Sequence, residues 1–119
     1  MRPIDRRHFF AVVRDAWGPF DQGQVDGLEA LLHFLEEDER VGDTRWAAYM
    51  LATVKHECAD RWQPIEEYGH GKGRKYGEPD ANGLTYYGRG YVQLTWRANY
   101  EAMGSRLGLE LARRPELAL

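Results

Sequence analysis

The chain has 119 residues, of which 43% are hydrophobic and 29% charged; this composition argues against a disordered or fibrous protein and predicts one domain, residues 1–119. Its formal net charge of -3 gives no overall attraction to nucleic acid or to an anionic membrane. A lone cysteine, Cys58, excludes an intrachain disulfide, and without a signal peptide or a membrane span we expect synthesis in the cytoplasm.

Two helices are predicted in the first part of the chain. Apolar residues recur at helical spacing from Asp5 to Trp17, with Asp5 as the N-cap and Gly18-Pro19 as the stop. A second helix is indicated by one apolar face, made of Val25, Leu28, Leu31, Leu32 and Leu35. It should end in the acidic run before Gly42.

A third helix is predicted after Asp43 or Thr44, either of which can cap it. Its apolar stripe should be buried and consists of Ala47, Met50, Leu51, Val54 and Cys58. Glu57 lies along this stripe near the C-terminal end of the helix. Partial desolvation and the negative end of the helix dipole would both favour a protonated carboxyl group there. Glu57 is therefore a candidate general acid, although a solvated glutamate paired with Lys55 or Arg61 fits the same periodicity.

Glycines and prolines break every periodic pattern from Gln63 to Thr85, which predicts a long loop or short irregular strands. Loops of this length usually line a functional site. This one carries Glu66 and Glu67, on a segment that can fold back across a cleft from the third helix. In an inverting glycoside hydrolase the acid and the base lie about 6.5 to 9.5 Å apart, and a helix carboxyl facing a loop carboxylate can meet that distance.

The last part of the chain combines an aromatic, glycine-rich segment with a predicted helical section. Tyr86 to Gly90 is the aromatic segment, and the helical section is indicated by Val92, Leu94, Tyr100, Met103 and Leu107. Gly104 and Gly108 weaken its end. The chain stops on apolar residues without a polar tail, so we expect a piece that lacks some C-terminal sequence.

Two motifs resemble the family 19 glycoside hydrolases, which are chitinases and phage-type endolysins. One is Met50-Leu-Ala-Thr-Val-Lys-His-Glu57, followed by Glu66. The other is Tyr86-Tyr-Gly-Arg-Gly-Tyr-Val-Gln-Leu-Thr95-Trp-Arg-Ala-Asn-Tyr100. The resemblance runs from about Gln24 to the end, and the Tyr-Gly-Arg-Gly-x-x-Gln-Leu-Thr block makes it specific.

The resemblance implies a mainly α, lysozyme-like helical domain with a substrate cleft and a long irregular loop. It implies that Glu57 is the catalytic acid, that Glu66 is the second catalytic glutamate, and that Thr95 helps to hold the nucleophilic water. The other residues assigned to substrate binding are Gln93, Asn99, Tyr87, Arg89, Glu67 and His56. Family members usually continue past the position where this chain ends, and the missing part supplies cleft residues.

Several of these positions also have a structural interpretation. Thr95 and Asn99 could cap a helix, and Gln93 could be a surface residue. For Arg89 a structural clamp is the favoured interpretation, because a guanidinium group can tie several carbonyl or carboxylate groups in place. Glu66 is preferred to Glu67 as the base by spacing alone.

The sequence predicts hydrolysis of β-1,4 glycosidic bonds in peptidoglycan or chitin by an inverting acid/base mechanism, without a cofactor. No metal is expected, because Asp60 stands where a zinc-protease motif starting at His56 needs its second histidine. The remaining histidines are interpreted as ordinary surface or capping residues: His8, His33 and His70.

The lack of disulfides and of a signal peptide favours peptidoglycan over chitin, attacked by a monomeric enzyme after its release to the cell wall. An alternative is a catalytically weak or inactive glycan-binding domain of the same fold, motivated by the missing C-terminal region. A lysozyme-fold transglycosylase is a further alternative, and the second glutamate argues against it.

Overall fold

The computed structural model describes all residues from Met1 to Leu119. It contains four α-helices, two two-residue strands and two short 3-10 helices, which confirms the mainly α class. Its contacts divide the chain into two compact units, Met1–Gln63 and Pro64–Leu119, and the single domain stays a prediction. None of the helices has the length and apolar character that crossing a membrane requires.

The first unit holds the three predicted helices, α1 (Arg6–Trp17), α2 (Gln22–Glu37) and α3 (Thr44–Glu57). Each follows an aspartate whose side chain accepts a backbone N–H from the first turn; these N-caps are Asp5, Asp21 and Asp43. At the start of α2 the Gln24 side chain also accepts the backbone N–H of Asp21, which completes a capping box. Local side-chain chemistry therefore fixes where all three helices begin.

Buried side chains from the three helices, from the loop between α2 and α3 and from the segment after α3 form the core of this unit: Phe10, Val13, Leu28, Leu32, Leu35, Val41, Ala47, Val54, Cys58 and Trp62. The expectation that Met50 belongs to this buried stripe is wrong, since its side chain is 46% exposed. At 3.6 residues per turn, Met50 lies about 60° around the helix from Ala47, at the edge of the buried face.

An ion pair joins the start of α1 to the end of α2. The guanidinium of Arg6 donates to both Glu36 carboxylate oxygens, at 2.6 and 2.8 Å, and the Ile4 backbone N–H donates to the same group. The hydrogen bonds from Arg6, and to a lesser extent the one from the Ile4 backbone, lower the pKa of Glu36 to about 2. The charged pair holds the two helix ends together.

The backbone of the segment that follows α3 lies directly against the backbone of α2. Trp62 is 1% exposed, and a Cβ placed on Gly27 in the middle of α2 would overlap the Trp62 carbonyl group. On the same side, the Gln24 amide donates to the Asp60 carbonyl at 2.9 Å. The absence of a side chain at Gly27 is what lets the chain after Glu57 lie this close to α2.

The second unit has little regular structure, as the long-loop prediction requires. Strands β1 (Ile65–Glu66) and β2 (Arg89–Gly90) pair antiparallel, and 3-10 turns form at Lys75–Gly77 and Pro115–Ala118. The one α-helix, α4, spans Arg97–Leu107. The core of the second unit consists of Tyr86, Tyr100 and Leu111, with Leu84, Leu94 and Ala118 packed against them.

Helix α4 is shorter than the predicted helical section. Leu94 forms a bridge with Arg89 instead of a helical turn, and Val92 is exposed in the turn between them. Trp96, with a φ of 73°, interrupts the backbone before the helix begins. The C-terminal end agrees with the expectation, because Gly108 is the left-handed C-cap.

The close approach at Gly27 predicts opposite effects for two glycine-to-alanine substitutions in α2. Alanine normally stabilises a helix interior relative to glycine by up to about 1 kcal/mol. Gly27→Ala should instead destabilise the first unit by about 1–3 kcal/mol, because the new methyl group overlaps the Trp62 backbone. Gly23→Ala is the matched control, since its Cβ would meet only Asp21 Oδ1 at 3.4 Å, an ordinary contact distance.

The measurement is the free energy of unfolding in urea for both variants and the wild type. We expect Gly27→Ala to unfold at lower urea concentration and Gly23→Ala at the same or higher concentration. Stabilisation by Gly27→Ala would contradict the packing described here.

Candidate active site

The residues predicted to form the site fall in both units. His56 and Glu57 end α3 in the first unit. The others belong to the second unit: Glu66, Glu67, Tyr87, Arg89, Gln93, Thr95 and Asn99. Within the second unit, the β1–β2 pair and the turn after it bring most of these side chains together.

Glu57 is the last residue of α3, and it is exposed, as is His56. The expectation that Glu57 lies partly desolvated along the buried stripe is therefore wrong. Its position about 80° around the helix from Ala47 puts it outside the buried face, even further than Met50. Lys55, one of the cations considered as its partner, pairs with Asp60 at 2.6 Å.

Glu66 lies in β1, and its carboxylate contacts two side chains of the same unit. Oε2 is 2.7 Å from His70 Nε2 and accepts a hydrogen bond of 3.3 Å from the Tyr87 hydroxyl. Oε1 takes no part in these contacts. The side chain is 38% exposed, so solvent reaches the carboxylate. One oxygen is held by the protein while the other is available to a substrate or a water.

His70 was interpreted from the sequence as an ordinary surface or capping residue, and the structure gives it a specific place. Its ring stacks on the Tyr87 ring, with centroids 4.7 Å apart and planes inclined by 12°. The interpretation missed this contact because His70 lies in an irregular loop between Gly69 and Gly71, where no periodicity links it to Glu66. The glycines on both sides were the only signal of a tight turn.

Glu67 makes a different set of contacts from its neighbour. Its Oε1 accepts a 2.6 Å hydrogen bond from the Tyr76 hydroxyl, and its Oε2 accepts the Gly88 backbone N–H at 3.0 Å. The hydrogen bond to this carboxylate raises the pKa of Tyr76. Both Glu67 oxygens therefore accept hydrogen bonds from the protein, one from the Lys75–Gly77 turn and one from the residue before β2. This distribution of contacts supports Glu66 as the residue with an oxygen free for chemistry.

Arg89 has the contacts of a structural clamp. It is 7% exposed, and its Nη1 donates to the Thr85 carbonyl and to the Tyr100 hydroxyl, both at 3.0 Å. Its guanidinium lies 3.8 Å from the centre of the Tyr87 ring, a cation–π contact. The Tyr100 hydroxyl in turn donates to the Tyr87 carbonyl at 2.6 Å. Tyr87, against which Glu66 and His70 both lie, is thus held from its backbone and from its ring.

The turn after β2 positions the remaining polar residues. The Gln93 amide donates to the Ile65 carbonyl at 2.9 Å and to the Gly90 carbonyl at 3.0 Å, so it ties β1 to β2. Thr95 donates its hydroxyl to the Gln93 carbonyl, and Asn99 donates its amide to the Thr95 carbonyl, both at 2.8 Å. Neither is the N-cap of α4, which is Trp96. Their contacts with water and sugar stay predictions.

No group of three or more His, Cys, Asp or Glu side chains in the structure is arranged to hold a metal ion. The second unit brings together a partly exposed carboxylate, a histidine and a tyrosine within hydrogen-bonding distance of it, and a buried arginine that fixes the tyrosine, an arrangement that is chemically capable of proton transfer.

Comparison with known protein families gives a match to the family described as chitinase class I, glycoside hydrolase family 19, over residues 58–119. The match spans just over half of the chain, and the chain belongs to this family. It covers every site residue of the second unit. It begins one residue after Glu57, so the candidate acid lies at its edge.

Similar proteins are plant chitinases and chitinase-like proteins. An endochitinase of Arabidopsis thaliana is 43% identical over 79 residues, which cover 61% of this chain and 29% of the relative. An endochitinase of Pisum sativum is 44% identical over 107 residues, 78% of this chain and 33% of the relative. An inactive chitinase-like protein of Hevea brasiliensis is 51% identical over 39 residues, 33% of this chain and 12% of the relative.

The chain therefore spans about a third or less of the length of these curated relatives. No solved structure gives a significant match.

The clamp formed by Arg89 predicts a large loss of stability when it is removed. Arg89→Ala leaves the Thr85 carbonyl and the Tyr100 hydroxyl without their donor and removes the stack on Tyr87, so we expect a loss of about 2–4 kcal/mol. Arg113→Ala is the control, because Arg113 pairs with Glu110 on the surface and should contribute no more than about 1 kcal/mol. Urea denaturation measures both, and equal small losses would contradict the clamp.

Proposed function

We propose that this chain hydrolyses β-1,4-linked amino-sugar polymers of the chitin type, with Glu57 as the general acid and Glu66 as the general base. Membership of a glycoside hydrolase family supports cleavage of glycosidic bonds, and the relatives named endochitinases support chitin as the substrate. The observation that carries the proposal is the Glu66 carboxylate, which is held through one oxygen and partly open to solvent.

The proposed reaction is a single displacement with inversion at the sugar carbon. Glu57 gives its proton to the glycosidic oxygen as the bond from that oxygen to the carbon breaks. Glu66 accepts a proton from a water molecule, and the water oxygen bonds to the carbon from the opposite face. Thr95 is proposed to help hold this water. The reaction needs no cofactor.

The other site residues are proposed to bind or to support the sugar. Tyr87 is proposed to line the cleft beside Glu66, and Gln93 and Asn99 carry amide groups that can hydrogen-bond hydroxyl and acetamido groups. The buried contacts of Arg89 support a positioning role, because it holds Tyr87 without being exposed itself. Exposed His56, next to Glu57, is proposed to contact sugar, and half-buried Glu67, next to Glu66, is proposed to support the site by holding its loop in place.

A second candidate function is glycan binding without turnover. It is favoured by the similarity to the relative named an inactive chitinase-like protein.

The test is the release of reducing ends from chitin and from peptidoglycan by the wild type and by Glu57→Gln. We expect release from chitin that falls at least about 100-fold in the variant, because glutamine keeps the shape of glutamate but cannot give up a proton. Glu37→Gln is the matched control, since Glu37 is also an exposed residue that ends a helix, and its replacement should leave the rate unchanged. Proton NMR of the first products should show the inverted anomer.

Each alternative has its own result in this experiment. Wild-type turnover by Glu57→Gln would contradict the acid assignment. Release of reducing ends from peptidoglycan alone would identify peptidoglycan, and not chitin, as the substrate. Binding of chito-oligosaccharides by a folded wild type without release from either polymer would favour the second candidate function.

A further inference from the structure

His70 is the one histidine of the chain whose ring both stacks on an aromatic residue of the proposed site and lies within hydrogen-bonding distance of a proposed catalytic carboxylate. Nε2 is 2.7 Å from Glu66 Oε2, and the ring is nearly parallel to that of Tyr87. Its side chain is 61% exposed, so burial does not force this arrangement. Two specific contacts place it there.

The backbone around His70 is built to hold this position. His70 and the glycines on both sides of it have positive φ angles, 81° for Gly69, 51° for His70 and 70° for Gly71. A non-glycine residue in this conformation is uncommon and persists where the surroundings fix it. Here Gly71 is buried, and a Cβ on it would come within 2.9 Å of both the Tyr76 ring and the Gly77 Cα. The turn is therefore packed tightly directly after His70.

Hydrogen bonds also tie this turn to the segment that carries both glutamates. The His70 backbone N–H donates to the Glu67 carbonyl at 3.0 Å, and the Glu67 side chain accepts the Tyr76 hydroxyl. The charged and titratable groups around the His70 ring are the Glu66 carboxylate, the Tyr87 hydroxyl and, across the Tyr87 ring contact, the Arg89 guanidinium. Of these, the Glu66 carboxylate is the acceptor that lies within hydrogen-bonding distance of Nε2.

We propose that His70 is a positioning residue for Glu66. Its Nε2–H and the Tyr87 hydroxyl both engage Oε2, which fixes the carboxylate and leaves Oε1 to accept the proton of the attacking water. The inference rests on the proposed function, in which Glu66 is the base. It adds a residue that the sequence interpretation had set aside.

The proposal separates two properties of the histidine ring, its N–H donor and its flat face. Glutamine carries an amide nitrogen at about the reach of Nε2 and keeps the donor without the aromatic face. Phenylalanine keeps the face that packs on Tyr87 and lacks the donor. Comparing His70→Gln, His70→Phe and His70→Ala therefore shows whether the hydrogen bond to Glu66 or the packing matters for the reaction.

The first experiment detects the contact without relying on turnover. Ring nitrogen NMR of the full chain, labelled with 15N-histidine, is compared between the wild type and Glu66→Ala. We expect the Nε2 resonance of His70 to shift when its acceptor is removed. His33 is the internal control, because its nearest carboxylate is Glu37, 3.9 Å away on an exposed helix face, and its signal should stay in place. An unchanged His70 signal would overturn the proposal.

The second experiment measures kcat and KM on chito-oligosaccharides. We expect His70→Ala and His70→Phe to lower kcat by about 10- to 100-fold with little change in KM, because a misplaced base slows the chemical step and leaves sugar binding intact. His70→Gln should recover most of kcat, and His33→Ala should behave as the wild type. A kcat in His70→Ala equal to that of the wild type would overturn the positioning role, and so would a His70→Gln no better than His70→Phe.

The two experiments also separate failure of this proposal from failure of the proposed function. If the wild type shows no turnover, the proposed function fails and the role of His70 in it fails too, whatever the NMR result. If the wild type is active and Glu66→Gln is not, the proposed function holds, and the His70 variants then decide the positioning role by themselves.

Discussion

The buried guanidinium group of Arg89 is the interaction on which the second unit depends. In a segment with one helix and two two-residue strands, turns supply many of the backbone hydrogen bonds, and side chains supply partners for backbone groups that the turns leave unpaired. Arg89 does this for the Thr85 carbonyl, and it also binds the Tyr100 hydroxyl and packs on the Tyr87 ring. Because the carboxylate of Glu66 and the ring of His70 both contact Tyr87, the position of the proposed base follows from one buried cation.

The adjacent glutamates of this unit have different contacts for a simple geometric reason. Successive residues of an extended segment point to opposite sides. Glu67 therefore turns towards Tyr76 and the Gly88 backbone, while Glu66 turns towards His70 and Tyr87. Both oxygens of the Glu67 carboxylate accept hydrogen bonds from the protein, whereas the Glu66 carboxylate keeps one oxygen free. The spacing in the sequence could not make this distinction, since it depends on where the partners lie.

Local signals predicted the parts of the structure that local chemistry determines. The first three helices follow from side-chain periodicity, and Asp5 and Asp43 were among the predicted capping residues, whereas the Asp21 cap of α2 was not predicted. The start of α4 did not, because the apolar Leu94 belongs to a bridge with Arg89, and periodicity cannot tell the two apart. The predicted buried stripe includes Met50 and Glu57, but Met50 lies at the edge of the buried face and Glu57 just outside it, where a small angular difference decides exposure. The His70 contact arises from a turn with positive φ angles, which periodicity does not reveal.

The most direct test of this account compares Glu66→Gln with Glu67→Gln for both turnover of chito-oligosaccharides and the free energy of unfolding. Glu66→Gln should abolish turnover and leave stability nearly unchanged, because its carboxylate is partly exposed and only one oxygen is bound. Glu67→Gln should keep most of the turnover and lose about 1–3 kcal/mol, because an amide cannot accept hydrogen bonds on both sides. The reverse pattern, or equal effects of the two substitutions on both quantities, would contradict the division between a catalytic and a structural glutamate.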